Sequence, residues 1–112
     1  NNTGLYFDGP SVSAISAGTY WCAGQVTLID TVPCQFHAKL WDGTTVFAEG
    51  SADLTTSAGA TAITLGGFIS SPAGNIRISV KDVTNTSGLI KANITGNSGV
   101  TQNSTIFIMR VA

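Results

Sequence analysis

The residues able to do chemistry in this chain are few, and their spacing works against most reactions. His37 is the only histidine, and Cys34 and Lys39 stand close to it in sequence. A metal pair or an activated thiol would need Cys34 and His37 on one side of the chain. The segment around them is strand-like, and strand side chains alternate with period two, so positions 34 and 37 face opposite ways. His37 therefore reads as a surface or interface histidine. No Gly-x-Ser-x-Gly segment occurs, and a Ser-His-Asp triad would have to draw His37 from mid-strand. Asp8, Asp30, Asp42, Asp53 and Asp82 stand mostly in or beside turns, where Asx hydrogen bonding accounts for them. Nothing marks a carboxylate pair for glycoside hydrolysis, no loop is acidic enough for calcium, and no phosphate-binding glycine motif occurs. The expectation is a non-enzymatic protein with no catalytic residue, metal ligand or cofactor.

Cys22 and Cys34 invite a disulfide. A hairpin around Asp30-Thr31-Val32-Pro33 would pair Leu28 with Cys34, Val26 with Phe36 and Cys22 with Leu40. The sulfurs would then lie on the order of 20 Å apart along the strands, whereas a disulfide needs Cα atoms within roughly 7 Å. Two buried free thiols acting as small apolar residues are expected. The argument holds only if both strands share a sheet.

The elements that must position these residues are strands. Short runs rich in Val, Ile, Thr and aromatics alternate with Gly, Pro, Asn and Asp clusters. A short strand near Leu5-Tyr6-Phe7 precedes a turn at Asp8-Gly9-Pro10, and residues 12–15 add another. Strands are then expected over residues 19–29, 34–40, 44–48, 61–69, 75–81, 88–94 and 104–111, with loops at 57–59 and 95–99. About eight strands at this spacing predict an all-β antiparallel sandwich, a jelly roll or a barrel. At Leu40-Trp41-Asp42-Gly43-Thr44, parity favours a three-residue loop with Gly43 in the left-handed region. That register pairs Leu40 with Thr44 and points Phe47 outward beside His37 and Lys39.

Two strands carry apolar residues on both faces. Residues 19–29 put Tyr20, Cys22, Val26 and Leu28 on one side and Trp21, Ala23 and Ile29 on the other. Residues 104–111 oppose Ile106 and Ile108 to Phe107, Met109 and Val111. Residues 75–81 contrast, with Ile76, Ile78 and Val80 alternating with Asn75, Arg77, Ser79 and Lys81, as in a strand wet on one face. One solvated sheet and one covered sheet follow. In a chain of 112 residues, with room for one core and one domain, the expected cover is a second copy of the chain. The outward aromatics Trp21, Trp41 and Phe47, with His37 near them, admit three readings: a protein interface, a carbohydrate platform built on Trp21 and Trp41, or simple core.

Charged residues make up 10 % of the chain against a typical value of about 25 %. A surface of Ser, Thr, Asn and Gly suits extracellular, viral or assembly-embedded proteins. The formal charge is −1, and Lys39, Arg77, Lys81, Lys91 and Arg110 are scattered, so no nucleic-acid surface is expected. No run approaches the roughly 18 apolar residues of a membrane span, and no signal peptide is visible. The start at Asn1 is compatible with a fragment or a processed form. The Asn-x-Ser/Thr triplets at Asn1, Asn85, Asn93 and Asn103 read as chance matches in so polar a composition.

Ala17-Gly18-Thr19-Tyr20-Trp21-Cys22-Ala23-Gly24-Gln25-Val26-Thr27-Leu28 resembles a strand of the C1q and tumour-necrosis-factor-like jelly rolls. Ala38-Lys39-Leu40-Trp41-Asp42-Gly43-Thr44-Thr45-Val46 is similar to C-terminal domains of bacteriophage and prophage virion proteins. The same holds for Ser70-Ser71-Pro72-Ala73-Gly74-Asn75-Ile76-Arg77-Ile78-Ser79-Val80 and for Ser87-Gly88-Leu89-Ile90-Lys91. Gly96-Asn97-Ser98 and Ser104-Thr105-Ile106 resemble the run that leads into the last strand of those domains. Cys22, Cys34, Phe47 and Met109 depart from the smaller or more aliphatic residues expected there. The resemblance implies a trimeric jelly-roll domain on a virion surface: a fibre, spike or decoration component serving assembly and host attachment. Its partners would be its own copies, other virion proteins and a host glycan. Trp21, Phe47, Phe107, Met109 and His37 are the expected oligomer interface, and Trp41 and Trp21 the expected glycan contacts.

Overall fold

A computed structural model describes residues 6–13, 17–56, 59–84, 87–91 and 104–112. Within these, eight strands form: β1 (Phe7–Val12), β2 (Thr19–Asp30), β3 (Cys34–Trp41), β4 (Val46–Leu54), β5 (Gly59–Ser70), β6 (Ile76–Asp82), β7 (Leu89–Lys91) and β8 (Thr105–Arg110). One sheet runs β1-β6-β3-β4. The other has β2 at its centre, with β5 along one edge and β7 and β8 sharing the other. All pairings are antiparallel. The chain is an all-β antiparallel sandwich, as its turn spacing predicts. Apart from the β3–β4 hairpin and the β7-to-β8 link, every connection between described strands crosses from one sheet to the other. Among the described residues no helix is long and apolar enough to cross a membrane.

Period-two alternation builds the core. Cys22, Val26 and Leu28 of β2 meet Phe36, Ala38 and Leu40 of β3 and Ile76, Ile78 and Val80 of β6 between the sheets. Ile63, Leu65 and Ile69 of β5 extend the layer. Where β2 would place a side chain at position 24, it has glycine. A Cβ there would lie 2.9 Å from Ile78 Cδ1 and 2.5 Å from the Thr105 carbonyl oxygen, so the isoleucine of the facing sheet fills the site instead.

Several expectations need correction. The turn at residues 30–33 does not close a hairpin, because β2 and β3 lie in different sheets. Asp30 Oδ1 accepts from the Thr31 amide (2.6 Å) and the Val32 amide (3.3 Å), and the turn carries the chain across the sandwich. Cys22 and Cys34 are both buried and neither forms a disulfide, but the hairpin argument for this lapses. Burial pushes the Cys22 thiol up to about 11. Asp8-Gly9-Pro10 is not a turn: β1 runs through it, with a bulge between Asp8 and Ser11 that leaves Gly9 and Pro10 out of the ladder. An edge-strand bulge is where a residue without an N–H is tolerated.

The β3–β4 hairpin has the expected positive φ at Gly43 (93°) but a different register. Leu40 pairs with Ala48 rather than Thr44, and Trp41 with Val46. Asp42 is the cause. Its Oδ1 accepts from the amides of Thr44 (2.9 Å) and Thr45 (2.7 Å), and its Oδ2 from that of Ala73 (2.8 Å). One buried carboxylate thus shapes a four-residue loop and ties it to the loop before β6. The bulge between Leu40 and Trp41 makes Phe47 the extra residue, so it packs against the core instead of standing outward beside His37 and Lys39. The expected loop at 95–99, residues 57–58 of the loop at 57–59, residues 14–15 of the short second strand, and residues 92–94 all lie outside the described residues.

Burial raises the Asp42 carboxyl, but the amides of Ala73, Thr45 and Thr44 outweigh it and hold it below the ordinary value. A depressed native value adds stability above the unfolded value of about 3.9, lost as pH falls through the native one. Asp42→Ala is expected to cost about 2–3 kcal/mol at pH 7 by leaving three amides without acceptors. Urea denaturation at pH 7 and pH 3 checks this: the gap between wild type and variant should narrow at the lower pH.

Candidate interaction face

The outer faces of the two sheets are chemically unlike. On the β5-β2-β8 sheet, antiparallel register sets Phe68, Trp21 and Met109 in one row across three strands. The next row holds Gly66, Ala23 and Phe107. Near the other end Ala60, Ile29 and Leu89 form a further row. Phe68 is 66 % exposed, Leu89 58 %, Phe107 56 % and Met109 49 %, which is a large share for apolar side chains on one face. The Trp21 and Phe68 rings meet edge to face at 5.1 Å and 62°. The Trp21 ring also reaches over Gly66, where a Cβ would stand 3.3 Å from two of its atoms. Glycine at position 66 lets the indole lie low across β5. The outward positions of β2 and β5 carry no charged residue, so no charge on these strands opposes desolvation.

The outer face of the other sheet is polar and bonded within itself. Trp41 Nε1 donates to Ser79 Oγ at 2.7 Å, and that hydroxyl donates to Asp8 Oδ1 at 2.6 Å. Arg77 Nε lies 3.4 Å from the same Asp8 oxygen. Lys39 Nζ sits 3.6 Å from the centre of the Trp41 ring and 4.0 Å from that of Tyr6. Arg77 and Lys81 add longer cation–ring contacts, 5.0 Å to Trp41 and 5.1 Å to Tyr6. Burial, with the Glu49 charge, pushes the Tyr6 phenol above its ordinary value. A depression of about 210 Å³ beside this lattice is lined by Tyr6, His37, Ala38, Glu49, Gly50 and Ser51.

The structure brings together Trp21, Phe107 and Met109 of the expected interface. His37 lies on the opposite sheet, level with Ser51 and Lys81, and Phe47 is turned inward. The two tryptophans of the expected glycan platform occupy opposite outer faces. Phe68 and Leu89 join the apolar face without having been singled out from the sequence. Phe68 was detectable, since it falls on the alternate face to Ile63, Leu65 and Ile69.

No family model matches the chain, and no curated protein does. Among solved structures it is similar to the C-terminal CBM6 of LamC, a marine laminarinase from Zobellia galactanivorans. The identity is 19 %, the TM-score 0.44, and the match covers 80 % of this chain and 69 % of that one. A likeness this distant carries no argument about function.

The Trp41–Ser79–Asp8 chain is open to a direct test. Ser79→Ala leaves the Trp41 indole N–H without its acceptor, at an expected cost of about 1–2 kcal/mol. Urea unfolding in a Trp21→Phe background, where Trp41 is the only indole, measures it by tryptophan emission.

Proposed function

We propose that this chain is a non-enzymatic structural domain that self-associates through the outer face of the β5-β2-β8 sheet. The observation that carries the reading is the uncharged row of Phe68, Trp21 and Met109, flanked by Phe107. Burying the exposed parts of Phe68, Phe107 and Met109, on the order of 100 Å² each, contributes roughly 2–3 kcal/mol per side chain at about 25 cal/mol per Å². The virion setting rests on the resemblance to bacteriophage and prophage C-terminal domains, which favours a trimeric surface fibre, spike or decoration component. His37 and Phe47 drop out of the proposed interface, and Phe68 and Leu89 enter it. A carbohydrate platform has less support: Lys39 rests against the Trp41 ring, and Trp21 lies on the other side of the sandwich.

Native mass spectrometry and light scattering at micromolar concentration are expected to report a trimer. Phe107→Asp should dissociate it while the circular dichroism of the sandwich persists, because position 107 faces away from the core. A wild-type monomer would remove the reading.

A further inference from the structure

We infer that Asp30, Cys34 and Asp82 form a site for a thiophilic divalent metal ion, zinc by class, that clips the two sheets together at one end of the sandwich. Asp30 is the last residue of β2, Cys34 the first of β3 and Asp82 the last of β6. They come from both sheets, and alternation turns all three toward the space between them. All three are buried, and one ligand atom from each lies within 4.8 Å of the others. Asp82 extends the inward series Ile76, Ile78, Val80. A carboxylate therefore stands where the pattern calls for an apolar side chain.

The independent sign of a ligand is the Asp30 carboxylate. The residue is 5 % exposed. Its Oδ1 accepts from the Thr31 and Val32 amides and from Ser87 Oγ at 2.7 Å, whereas its Oδ2 is buried with no hydrogen-bond partner. A buried carboxylate oxygen left in this state is costly. Burial raises the Asp30 carboxyl, but Ser87, Cys34 and the two amides outweigh it; none of these groups is a cation. The segment before β7 closes the site: Ser87 holds Asp30, and the Gly88 amide donates to Asp82 Oδ2 at 3.0 Å. A Cβ on Gly88 would collide with the Phe36 ring and stand 2.8 Å from Asp82 Oδ2.

Two carboxylates and a sulfur select the ion. Calcium and magnesium take oxygen ligands, whereas zinc takes thiolate at about 2.3 Å and carboxylate at about 2.0–2.2 Å. Those bond lengths place tetrahedral ligand atoms about 3.3–3.8 Å apart, so the three groups need to draw in by at most about 1.5 Å. Three protein ligands leave one position for water. Binding displaces the Cys34 thiol proton to solvent, so affinity should rise with pH.

The test uses the chain stripped with a chelator and desalted. One equivalent of zinc should be retained per chain and raise the thermal midpoint, and cobalt(II) should produce thiolate charge-transfer absorption. Cys22→Ala should keep the cobalt band; Cys34→Ser should abolish it, and Asp82→Asn should abolish stoichiometric zinc retention. Wild-type protein that retains no zinc, shows no cobalt band, or gains thermal stability from calcium but not zinc overturns the assignment, whether or not the variants fold. Persistence of the band in Cys34→Ser does the same.

Discussion

The pairing of β2 on both edges is the constraint on which the rest of the structure depends. β5 follows it for all twelve residues, Thr19↔Ser70 through Asp30↔Gly59, while β8 and β7 divide the opposite edge. Period two then commits every residue of this strand at once. Its even positions face the interior, where Cys22, Val26 and Leu28 are fully buried, and its odd positions define the outer surface of the whole sheet. A slip of one residue would exchange the two sets. The core and the apolar outer face are thus two consequences of one register.

The two outer faces meet water in opposite ways. The β1-β6-β3-β4 sheet covers its aromatic residues with its own cations and hydroxyls, so that Ser79, although outward, is fully buried under Trp41 and Asp8. The other sheet places no charge at the outward positions of β2 and β5. These are apolar, small, hydroxylated or, at Gln25, an amide, and Phe68 and Phe107 remain exposed until something covers them.

Alternation made β6 and the two-sided character of β2 and β8 legible from residue types alone, and with them the sandwich. It was blind to the rest for physical reasons. Alternation within β2 and β3 says nothing of whether the turn at 30–33 returns to the same sheet or crosses to the other. The β3–β4 register differs from the expected one by four residues, an even number, so Ala48 stays inward and, beyond the bulge, the slip leaves no trace in the pattern. The bulge turns Phe47 inward and leaves Val46, expected inward, exposed on the outer face, and its cause is a set of hydrogen bonds made by Asp42, one of them to Ala73 thirty-one residues away. Asp82 stands at a strand end, where a turn aspartate and an inward one look alike in sequence.

The placement of the tryptophans has an optical consequence. Each outer face holds one indole and the core holds none: Trp21 lies among apolar side chains on the β2 sheet, and Trp41 lies under lysine and arginine on the other. The emission of the folded chain is therefore the sum of two signals from opposite surfaces, each in a different dielectric. Events on one face can be followed without disturbing the reporter on the other.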